Sequence, residues 1–132
     1  MSASAIPTPA APLQASMATM LDVLAWEIEL AGARCIYLDS MIGKMMKTVP
    51  EGDQQTLVEG MHTVDLLAQQ LTSLSAFARR MSALAPDDVS ASVDDALDDI
   101  TLGALADRMS VAFGGTERGI YDAEDAGDLD LF

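Results

Sequence analysis

The chain has 132 residues, enough for one domain with a modest core. Half of it is apolar, but that half is mostly Ala, Leu, Val, Ile and nine Met, with one Trp, two Tyr and three Phe, a mixture that favours helix. Seven basic residues against 21 acidic ones give a formal net charge of −14, which repels phosphate backbones and anionic membranes and argues against a nucleic-acid or membrane ligand.

Residues 2–13 are mainly Ser, Ala, Pro and Thr, and Pro7, Pro9 and Pro12 prevent regular helix. Residues 1–14 are therefore expected to be a disordered leader. No basic residue precedes an apolar run there, so no signal peptide is expected. From about Ala15 a helical stride begins: Met17, Leu21, Leu24, Ile28, Ala31, Cys35, Leu38, Ile42 and Met45 step by four and three. Glu27, Glu29 and Arg34 interrupt this stretch, which argues against a membrane span. Thr48-Val49-Pro50-Glu51-Gly52-Asp53 ends the helix. Cys35 is alone, which excludes an internal disulfide and suits a reducing, cytoplasmic setting as a small buried hydrophobe.

A second helix is predicted from about Asp53 to Ala85, before Pro86. Its stride reads Leu57, Gly60, Val64, Leu67, Leu71, Leu74, Ala78, Met81, Ala85. Both helices are about 30 residues, or about 45 Å, long. Equal lengths and a short connection predict an antiparallel hairpin over residues 15–85. A second apolar strip on the first helix, including Met20, Val23, Ala31 and Met41, would be covered if two hairpins paired into a four-helix bundle. A third, shorter helix is expected over residues 88–113, opened by Pro86-Asp87-Asp88, carrying Val89, Val93, Leu97, Ile100 and Ala104 on one face, and closed by Gly114-Gly115. It could compete for the same surface. Residues 114–132 form an acidic tail. The expected class is all-α: a helical hairpin that dimerises, plus a third helix.

The chemistry-bearing residues lie on the second helix. With Leu57 at position a, His62 and Gln69 fall at f and Asp65 at b, one polar stripe pointing away from the seam. A carboxamide can align an attacking water through one acceptor and two donors without ionising. That suits hydrolysis of an acyl phosphate whose electrophile and metal belong to a partner. With one Cys and one His the chain offers no zinc-type ligand set. No Ser or Thr has a His and an acid at a spacing that suggests a hydrolase triad. Asp94, Asp95, Asp98 and Asp99 read as a solvated face, and Arg79 and Arg80 as complements to the helix dipole.

Asp65-Leu66-Leu67-Ala68-Gln69, followed by an apolar amphipathic run, resembles the D-x-x-x-Q signature of CheZ-type chemotaxis phosphatases, and the small CheZ-like group sometimes called CheT is similar in size. The resemblance covers the hairpin, about 70 residues. It implies a dimeric helical hairpin that dephosphorylates a CheY-like response regulator, with Gln69 orienting water toward the aspartyl phosphate and Asp65 pairing with a receiver Lys. It implies no cofactor in this chain, the Mg2+ being supplied by the receiver. It also implies a tail that ends in a regulator-binding peptide, here at Leu129, Asp130, Leu131 and Phe132. The chain departs from the family in its shortness, its third helix and a tail that is not plainly amphipathic.

Two other readings stand beside this one. His62, the only histidine, could be the phosphoacceptor of a histidine phosphotransfer protein, although the Gly-rich ATP motif of a kinase is absent. Alternatively, the chain is a non-catalytic adaptor that binds a partner through its tail. Asp128-Leu-Asp-Leu-Phe132 resembles the Q-L-[SD]-L-F peptide that docks into bacterial sliding clamps, with Asp128 in place of the Gln.

Overall fold

The computed structural model describes residues 11–117. Two long helices dominate it: α1, Met17–Met45, and α2, Glu51–Leu84. The Ser16 side chain caps α1 by accepting a hydrogen bond from the Thr19 N–H at 3.1 Å. The chain turns through residues 46–50, and Glu51 and Asp53 sit in the first turn of α2, where carboxylates suit the helix dipole. Ala85 leaves the helix with φ −70° and ψ 140°, because the ring of Pro86 disfavours helical backbone before it. The helices pack side by side as the expected antiparallel hairpin.

The seam is built from smaller residues than the stride suggested. Ala25 and Gly32 of α1 are buried against Ala68, Ser75 and Ala78 of α2. The Ser75 hydroxyl donates to the Ala25 carbonyl at 2.9 Å, and the Ser82 hydroxyl to the Ala18 carbonyl at 2.7 Å. Such bonds need close backbones, and a Cβ added at Gly32 would lie 3.6 Å from the Leu71 Cβ. Leu67, Leu74 and Met81, expected at the seam, are instead 44%, 54% and 39% exposed, and Leu24 and Leu38 are similarly open. Adjacent columns of a long helix share the same seven-residue repeat, so periodicity cannot choose between 67-74-81 and 68-75-82. Close approach selects the column with small side chains.

The third helix is corrected. Residues 88–113 form a short strand, a five-residue helix and a ten-residue helix. Strand β1, Gln14–Ser16, pairs antiparallel with β2, Ser90–Ser92. The Met17 N–H donates to the Val89 carbonyl at 2.8 Å and the Val93 N–H to the Leu13 carbonyl at 2.9 Å. Leu13 and Gln14, expected in the leader, thus belong to the fold. Helix α3, Asp94–Asp98, is short and acidic: Asp94/Asp98 and Asp95/Asp99 place like charges four residues apart, which opposes a longer helix. Helix α4, Gly103–Ala112, follows and ends at Gly114, whose φ of 91° suits glycine.

These elements cap one end of the hairpin. Val93, Leu97 and Met109 bury against Ala15 and Val23, with Met20, Ile100 and Phe113 partly buried around them. Of the apolar face expected from the sequence, Val93, Leu97 and Ile100 line this core and Ala104 is also buried, whereas Val89 is exposed. Part of the second strip of α1, Met20 and Val23, is therefore covered within the chain. Arg108 of α4 adds two hydrogen bonds to the Glu27 carboxylate, at 2.7 and 3.2 Å. Among the described residues no helix is long and apolar enough to cross a membrane.

Candidate functional site

The hairpin has two unlike flanks on either side of its seam. Arg79 of α2 donates to Asp22 at 3.3 Å and to Glu29, which fixes Asp22 and Glu29 on one flank of α1. Helical spacing then places Asp65 and Thr72 on that flank of α2, in line with Arg79, and His62, Gln69 and Ala76 in the next column outward. This flank carries the Arg79 ion pairs together with the exposed Trp26 and Ile36, and the sequence-predicted site lies on it.

His62, Asp65 and Gln69 are all exposed in the body of α2. Gln69 Nε2 donates to Asp65 Oδ2 at 2.9 Å across one helical turn. The bond favours one orientation of the carboxamide by about 0.2–0.5 kcal/mol, leaving the second Asp65 oxygen for a cation and Gln69 Oε1 for water. Among the described residues no other side-chain hydrogen bond is made by Gln69. His62 shares the flank but makes no hydrogen bond to either residue, so the structure joins two of the three predicted side chains. One turn beyond Gln69, an apolar-floored groove of about 370 Å³ runs between the helices, lined by Ala33 and Ile36 of α1 and by Thr72 and Ala76 of α2, with Glu29 and Arg79 at its end.

Arg79 is not the dipole complement expected, since no basic residue lies in the last turn of α2. Its partners are acids of α1. The sequence reading also missed a larger groove of about 590 Å³ between α1 and α4, bordered by Asp22, Trp26, Arg79, Arg108 and Val111. Asp22, Trp26 and Glu29 recur at helical spacing, a signal that could have marked this flank, but the position of α4 was not legible. Among the described residues no group of three or more His, Cys, Asp or Glu could hold a metal ion. The peptide Leu129, Asp130, Leu131 and Phe132 lies outside the described residues.

No curated protein and no solved structure matches this chain. One family does, over residues 13–132, a span that takes in the hairpin, the cap and the tail together: the chain belongs to the family described as Domain of unknown function (DUF8776).

Proposed function

We propose that this protein stimulates dephosphorylation of an aspartyl-phosphorylated receiver domain, a CheY-like regulator of chemotaxis or two-component signalling, acting in the cytoplasm as a homodimer. The observation that carries the reading is the Asp65–Gln69 hydrogen bond on an exposed flank, which presents an oriented, uncharged amide to a docking protein. Gln69 Oε1 accepts a hydrogen bond from the attacking water and aims its lone pair at phosphorus. Water adds as the phosphorus–carboxylate bond breaks, giving inorganic phosphate and the free receiver aspartate. The receiver supplies the phosphoryl group and the Mg2+; this chain supplies position alone. Asp65 meets a receiver Lys, an encounter that the chain's net charge of −14 favours.

The test is phosphate release from the receivers of the parent organism, each phosphorylated with a small-molecule donor, with wild type, Gln69→Ala, Asp65→Ala and His62→Ala. Acceleration of at least one receiver is expected from wild type. Gln69→Ala should lose it, Asp65→Ala should raise the receiver concentration needed, and His62→Ala should match wild type. Acceleration that survives Gln69→Ala, or no acceleration of any receiver, would defeat the proposal. Loss of activity in His62→Ala together with a phosphorylated His62 would establish phosphotransfer instead.

A further inference from the structure

Past α4 the chain turns back on itself. Gly114 takes a φ of 91°, the Gly115 N–H donates to the Ser110 carbonyl at 2.9 Å, and the Ser110 hydroxyl donates to the Thr116 carbonyl at 2.7 Å. Glu117, the last described residue, therefore lies back alongside Val111 and Ala112 and borders the groove of about 590 Å³ between α4 and α1. Trp26 and Val111 wall that groove and are 56% and 52% exposed.

We infer that the residues that follow, Arg118-Gly119-Ile120-Tyr121, seat in this groove against Trp26 and Val111. Trajectory, reach and charge favour this segment over a second copy or another protein. The chain already runs along the rim of the groove at Glu117. Tyr121 is four residues further on, a span of at most about 14 Å, so the segment meets this surface before any other. The carboxylates of Asp22, Glu27, Asp107 and Glu117 border the groove and outnumber the guanidiniums of Arg79 and Arg108. Arg118 is the one basic residue after Arg108, and Ile120 and Tyr121 follow it, which matches an acid-rimmed groove with apolar walls. Asp122, Glu124, Asp125, Asp128 and Asp130 do not match it, so the contact ends at Tyr121. Arg79 borders both this groove and the one beside Thr72. A segment seated here thus roots the acidic remainder of the chain on the flank that carries Asp65 and Gln69. A partner held by Leu129–Phe132 would then be kept at a raised local concentration near that pair. The inference does not depend on the phosphatase reading.

The test uses Trp26, the only tryptophan, as a reporter in the full chain. Acrylamide quenching of its fluorescence is compared among wild type, the double variant Ile120→Asp/Tyr121→Asp and a control in the same tail, Leu129→Asp/Leu131→Asp, at low and high protein concentration. The quenching constant should rise about twofold in the Ile120/Tyr121 variant, as aromatic cover is lost, with emission shifted to the red. The control should match wild type, and no value should change with protein concentration. Equal quenching of wild type and the Ile120/Tyr121 variant would overturn the inference, as would an equal rise in both variants. Wild-type quenching that falls as protein concentration rises would assign the groove to a second copy and overturn it too. Should the Ile120/Tyr121 variant lose its helical circular dichroism, a second measurement decides. In a Cys35→Ser background, Val111→Cys with Ile120→Cys should oxidise to a disulfide within one chain, and Val111→Cys with Leu131→Cys should not. Equal oxidation of the two pairs would overturn the inference.

Discussion

Leu97→Ala removes the largest fully buried side chain among the described residues, 1% exposed at the centre of the cap. The three lost carbons correspond to about 2–2.5 kcal/mol of transfer free energy, and the cavity left behind raises the cost to about 3 kcal/mol. That is roughly a hundredfold in an equilibrium constant. The cost should fall unevenly. The cluster around Leu97 has five buried residues, of which only Val23 belongs to the hairpin, and none comes from α2. The expected result is that β1–β2, α3 and α4 detach while α1 and α2 stay paired. Amide hydrogen exchange checks this: amides of 106–113 should exchange about a hundredfold faster than in wild type, with little change near Gly32 and Leu71. Equal acceleration in both regions would refute the reasoning, because it would make cap and hairpin one cooperative unit.

Gly32→Ala should stabilise the protein. Gly32 is inside a helix, where Ala is better by about 0.5–1 kcal/mol, and the added Cβ would make an ordinary 3.6 Å contact with Leu71. Thermal unfolding should rise by about 2–6 °C; a lower midpoint would show that the seam tolerates no further atom. Arg108→Ala should cost about 1–2 kcal/mol in a denaturant titration. It strands the Glu27 carboxylate, whose side chain is 12% exposed. Replacing both residues by Met should recover most of that loss, since no charge is then left buried without its partner.

The sequence alone determined the long elements. The strides on both helices, Pro50 and Pro86 at their limits and the equal lengths were enough for an antiparallel hairpin, because repeat and breakers are local properties of the chain. The polar stripe His62, Asp65 and Gln69 was legible for the same reason: residues four apart on a helix must be neighbours. Tertiary structure decided what depends on partners distant in sequence. Ser90–Ser92 is a strand because Gln14–Ser16 lies beside it, and Arg79 is an ion-pair residue because Asp22 and Glu29 cross its path. The choice of seam is the sharpest case. Leu67 and Ala68 share one repeat, and only the approach of a second backbone, closed by the Ser75 and Ser82 hydroxyls, buries the alanine and leaves the leucine outside.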